Sequence, residues 1–124
     1  MFRVIKNLKT RVASMIKRFA PIADTKDLED LLARSHDEPV IVFKHSATCP
    51  ISAAAYAEMS RVSNDVSMVI VQRARELSRE IEARTGVQHE SPQAIILRNG
   101  QAVWNASHWS IKASAVDDAF RQYA

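Results

Sequence analysis

Cys49 is the only cysteine among 124 residues, and the side chains around it are of types that act on a sulfur. Lys44, His45, Ser46 and Thr48 precede it, Pro50 and Ile51 follow it, and Ser52 stands three positions on. The chemistry open to such a group is nucleophilic. A thiolate attacks disulfide sulfur where a thiol hardly does, and helix N-termini and nearby cations are the surroundings that favour the thiolate. A lone cysteine can equally be core packing, since free cysteine is among the most buried residue types. A strand-to-helix junction ahead of a proline argues for reactivity instead.

The elements that must position this group are legible on both sides of it. Val40 to Phe43 is an unbroken apolar run, mostly β-branched, which suits a strand buried on both faces. Ile51, Ala54, Ala55, Met59 and Val62 then recur at helical spacing, predicting a helix from about residue 50 to about Ser63. Pro50 suits the first helical position, which makes Cys49 the N-cap and leaves the first N–H groups free to face its sulfur. Ser52, in the first turn, can direct its hydroxyl to the same place. Strand alternation puts Lys44 and His45 on opposite faces, so at most one points toward the sulfur, and the sequence does not choose between them.

The rest of the chain alternates in kind. Asp24 or Thr25 caps a helix carrying Leu28, Leu31 and Leu32. Val66 to Val71 reads as a second buried strand. A helix with Leu77 and Ile81 inward follows, its charged remainder a solvated face, and Gly86 ends it. Ala94 to Leu97 is a third strand, and Asn99-Gly100 predicts a type I′ hairpin returning through Ala102 to Ala106. A last helix, capped near Ser110, buries Val116, Ala119, Phe120 and Tyr123. Trp104 reads as sheet packing and Trp109 as a staple onto that helix.

Composition limits the functions available. Two glycines cannot build a phosphate-binding loop. One cysteine excludes an internal disulfide framework, which with no evident signal peptide predicts a reducing, cytoplasmic setting. His36, His45, His89 and His108 show no metal-ligand spacing, so no metal site is expected. The net charge is +3, but residues 1–23 carry six cations and no acid, leaving the remainder at −3. The basic character therefore belongs to a tail, and no nucleic-acid partner is expected.

In that tail, Phe2, Ile5, Leu8, Val12, Met15, Ile16 and Phe19 fall three or four apart among the cations. This predicts a basic amphipathic helix, too charged to span a bilayer. Three roles are compatible with it: docking on the domain or a second copy, lying on an anionic membrane surface, or cleavable targeting. The expected organisation is an extension over 1–23 and one domain over 24–124.

Helix, strand, helix, strand, helix, hairpin, helix, with any leading strand short and near Ile22, is the order of the thioredoxin fold, an α/β fold with a central mixed sheet. The stretch from Phe43-Lys44 through His45-Ser46-Ala47-Thr48-Cys49-Pro50-Ile51-Ser52 resembles the monothiol bacilliredoxins, small thioredoxin-like proteins of the bacillithiol system. The resemblance extends over about residues 24–124, and the N-terminal helix is its departure. It implies that Cys49 is the reactive cysteine and that Ser52 stands where dithiol relatives have a second one. It also places the family's cis-proline at Pro92, with the Ser91 backbone beside the cysteine to pair with an extended substrate.

The implied activity is monothiol exchange: Cys49 takes bacillithiol, or a similar low-molecular-weight thiol, from protein mixed disulfides. That thiol would be a co-substrate, with no cofactor bound. The implied partners are client proteins and a reducing thiol or redoxin, with membrane-surface or self contact through residues 1–20. Two other readings stand beside it. One is a non-catalytic interaction module. The other is an iron–sulfur cluster carrier of the monothiol glutaredoxin type, against which Pro50 argues, since those proteins carry glycine there.

Overall fold

The computed structural model describes residues 19–124. At its centre is β2 (Val40–His45), in which Val40, Ile41, Val42 and Phe43 are all essentially inaccessible to solvent. Such a run has no polar face, so it needs apolar cover on both sides. The sheet supplies neighbours in the order β1-β3-β2-β4-β5. β1 (Phe19–Pro21) and β2 run parallel to β3 (Val66–Ile70), while β4 (Gln93–Arg98) runs antiparallel to β2 and to β5 (Gln101–Ser107).

Side-chain alternation along β2 divides the core in two. Val40 and Val42 pack with Leu28, Leu31 and Leu32 of α1 (Thr25–Arg34) and with Leu77 and Ile81 of α3 (Arg75–Thr85). Ile41 and Phe43 pack on the opposite face with Ala55 and Met59 of α2 (Pro50–Met59) and with Val116 and Ala119 of α4 (Ala113–Tyr123). The result is the expected thioredoxin-like α/β arrangement, with five strands between two helical layers among the described residues.

Local signals act as their chemistry requires. Asp24 caps α1, accepting from Asp27 N–H at 2.9 Å. Gly86 ends α3 at φ +74°. Asn99 and Gly100 take φ values of 55° and 76°, the pair of left-handed conformations that a type I′ turn needs. The turn is anchored from α1: Ser35 O accepts from Asn99 N–H at 2.7 Å, and Ser35 Oγ accepts from Gly100 N–H at 2.9 Å.

Four expectations are corrected. Phe19 lies in β1 rather than on a helix, paired with Val66, its ring centroid 4.7 Å from that of Tyr56. The remainder of the expected N-terminal helix lies outside the described residues. The Cys49 helix stops at Met59 instead of Ser63. There the bonds tighten to Arg61 N–H with Glu58 O and Val62 N–H with Met59 O, and Ser63 turns to the Asp117 carboxylate. Ser110 does not cap the last helix. It closes a 3₁₀ turn (His108–Ser110), and the Glu58 carboxylate receives the Ala113 N–H at 2.8 Å. Trp109 on that turn is 63% exposed, so it staples nothing.

Candidate active site

Cys49 is the N-cap of α2, with φ −97° and ψ 126°, and Pro50 is the first helical residue. The Cys49 carbonyl accepts from Ala53 N–H at 3.0 Å, which fixes the residue to the axis. Its side chain is half-buried, and among the described residues nothing hydrogen-bonds the sulfur. Pro50 brings no N–H, while the first-turn amides after it have no carbonyl one turn back to bond. The positive end of the helix therefore lies at the sulfur.

Ser52 does not direct its hydroxyl at that sulfur. The side chain is fully buried: Oγ accepts from Ser46 N–H at 2.8 Å and lies 2.8 Å from His45 Nδ1. Burial pushes the His45 pKa below its ordinary value, so the ring is neutral at pH 7. With the Ser52 hydroxyl donating to Nδ1, the imidazole proton sits on Nε2. The ring is flanked by Phe43 at 5.5 Å and Tyr56 at 5.1 Å between centroids. His45 and Ser46 thus hold the first turn of α2 from the end of β2.

Lys44 faces the other way, as alternation requires. Its side chain is completely buried, and Nζ lies 3.2 Å from His89 Nδ1. Burial pushes its pKa down to about 8, against the opposing field of Glu82. Burial also lowers the His89 pKa, with the Lys44 charge adding to the effect and Glu82 and Glu90 opposing it. The Nδ1 of a neutral His89 accepts a hydrogen bond from Lys44 Nζ, and the Glu82 carboxylate accepts from the His89 backbone N–H at 2.8 Å. Neither Lys44 nor His45 hydrogen-bonds the sulfur: His45 reaches its helix through Ser52, and Lys44 braces the loop leading to β4.

Gln72 is a member of this site that the sequence reading missed. Its Oε1 accepts from Ala47 N–H at 3.2 Å, and its Nε2 donates to Ser46 Oγ at 2.7 Å and to Thr48 Oγ1 at 3.3 Å. It clamps the loop between β2 and Cys49. A signal existed: β2 and β3 are parallel neighbours, so the segments leaving their carboxyl ends lie side by side where α/β sheets gather their sites.

The Ser91–Pro92 bond is cis, and Pro92 O accepts from His108 N–H at 3.0 Å. Ser91 and Ser46 line one open cleft of about 530 Å³, together with Gln72, Glu82 and His89. The structure thus brings the Ser91 loop and the loop carrying Cys49 to the same cleft. Pro50 is exposed and Ile51 half-buried beside it in the chain. Among the described residues no three His, Cys, Asp or Glu side chains group as metal ligands, and no helix is long and apolar enough to cross a membrane.

The chain is similar to known proteins. A family model described as "Monothiol bacilliredoxin BrxC" matches residues 20–116. A solved structure described as having a thioredoxin fold, with a provisional oxidoreductase assignment, is 37% identical. The match covers 82% of this chain and 92% of that one at a TM-score of 0.75. A mutant thioredoxin from Halobacterium salinarum NRC-1 is 13% identical over 86% of this chain and 90% of its own, TM-score 0.67. Schistosoma mansoni thioredoxin is 20% identical over 86% and 96%, TM-score 0.62. These last two are similar in fold alone.

Proposed function

This chain belongs to the monothiol bacilliredoxin family, and we propose that it removes bacillithiol from protein mixed disulfides through Cys49. The observation that carries this reading is the placement of the sole cysteine at the N-cap of α2, its sulfur uncommitted among the described residues. The Cys49 thiolate attacks the bacillithiol sulfur of the mixed disulfide. One S–S bond forms as another breaks, and the client leaves as a thiolate that takes a proton from water. Cys49 now carries the bacillithiol, with no net change in oxidation state.

The cycle does not close within the chain. Ser52 occupies the position from which a second sulfur would attack, and its hydroxyl is held by Ser46 and His45. A second thiol, from a small molecule or another redoxin, must attack the Cys49 adduct, restoring the Cys49 thiolate and carrying the disulfide away. The Ser91–Pro92 edge of the cleft is the place for the extended client backbone in this reading.

Intact mass spectrometry of the reduced protein tests it, after brief exposure to a model client carrying bacillithiol and, in parallel, to one carrying glutathione. Adduct mass is expected on Cys49 from the bacillithiol client and is expected to be absent in Cys49→Ala. Transfer from the glutathione client alone would reassign the thiol. Transfer from neither would refute exchange and favour the interaction module.

A further inference from the structure

We propose that the cleft beside the Cys49 loop binds a carboxylate of the small thiol, with Arg75 and Arg79 as its counter-charges. The inference rests on the exchange reading above and assigns it a specificity site.

Arg75 and Arg79 lie one turn apart on α3, and both line the cleft shared by Ser46, Gln72 and Ser91. Like charges at that spacing repel, and an anion between them relieves the repulsion. Arg75 is also the first residue of the helix, where the dipole favours an anion over a cation. Glu76 follows Arg75 in sequence but does not line the cleft, and three other charged side chains of α3 are engaged. Arg84 pairs with Glu29, Glu80 accepts from Thr25 Oγ1 at 2.7 Å, and Glu82 accepts the His89 N–H. Among the described residues neither Arg75 nor Arg79 makes an ion pair or hydrogen bond.

Ser91, on the same lining, brings the loop before β4 to the cleft. Glu82, the one carboxylate lining the cleft, lies a turn beyond Arg79, so the arginine end keeps a net positive charge. The volume of about 530 Å³ suits a small molecule, for which sites of about 300–1,000 Å³ are usual. Reach to the sulfur is short along the chain: Gln72, on the wall, also holds Thr48, which precedes Cys49. A thiol whose sulfur meets Cys49 can therefore lay its acidic portion along Gln72 toward α3.

The test uses one model client carrying, in turn, bacillithiol, glutathione and cysteamine, the first two bearing carboxylates and the third none. Transfer to Cys49 is followed by intact mass. The native protein is expected to take at least one carboxylate-bearing thiol about tenfold faster than cysteamine at low salt, with the preference shrinking as salt rises. Arg75→Gln/Arg79→Gln should bring that ratio close to one, and Arg79→Glu should turn it toward cysteamine. No preference in the native protein, or an equal slowing of all three thiols in the variants, overturns the cleft assignment while exchange stands. No transfer from any of the three, cysteamine included, refutes exchange itself and the cleft assignment with it. Near-ultraviolet circular dichroism confirms that the variants are folded.

Discussion

Lys44→Met is expected to stabilise this protein at neutral pH and to erase a pH dependence. The Lys44 ammonium is completely buried, and its pKa falls from 10.5 to about 8 on folding. The folded state therefore prefers the neutral amine, and below about pH 8 the charge is retained at a cost. At about 1.36 kcal/mol per pH unit that cost approaches about 3 kcal/mol at pH 7. Between about pH 8 and 10.5 the unfolded chain holds the proton that the folded one has lost, so stability rises with pH through that window. Methionine removes the charge and nearly keeps the volume. It also leaves His89 Nδ1 without its donor, a loss of about 1 kcal/mol. The net expectation is a gain of about 1–2 kcal/mol at pH 7, measured by urea unfolding. The gain should shrink toward zero or reverse by about pH 10 as native Lys44 sheds its proton. A variant–native difference that stays flat from pH 7 to 10, or a loss of stability at pH 7, would refute the burial account of Lys44.

Ser52→Ala deprives the Ser46 N–H and His45 Nδ1 of their partner in a buried place, which should cost about 1–3 kcal/mol in urea unfolding and speed amide exchange at Ser46. Ser52→Cys puts a second sulfur in the first turn of the helix that Cys49 caps. An internal disulfide, seen as the loss of two hydrogens by mass, is expected, and failure to form it would count against this placement of Cys49. Gln72→Ala removes three hydrogen bonds from the loop before Cys49. Because that side chain is exposed, the expected cost is only about 0.5–1 kcal/mol, with faster amide exchange at Ala47 as the sharper readout.

What could be read from sequence was what neighbouring residues decide together. The apolar run of β2, the Cys49-Pro50 helix start, the Gly86 stop and the Asn99-Gly100 turn each depend on backbone preferences spanning a few positions, and each appears where expected. The misses are contacts between distant segments. Glu58 rather than Ser110 receives the first amide of α4, a partner 55 residues away. Phe19 leaves the helical pattern because aromatic packing against Tyr56 and pairing with Val66 reward a strand. Gln72 carries no motif and is functional only through what stands beside it.

Lys44 and His45 show how one strand organises both walls of the candidate site. They are adjacent in sequence and point to opposite layers of the fold. Through Ser52, His45 secures the helix that begins at Cys49. Through His89, Lys44 secures the segment that leads two residues later to Ser91 and the cis Pro92. The same two-residue step also pairs Lys44 with Gln93 across the sheet, tying that segment to the strand from its other end. A shift in β2 would therefore move the sulfur's helix and the Ser91 loop together rather than apart. Strand alternation sets the two sides of the cleft, and bonds from Gln72 to Ser46 and from the His89 backbone N–H to Glu82 tie its lining together. That is why a buried ammonium, costly to stability, is consistent with a place where geometry matters more than stability.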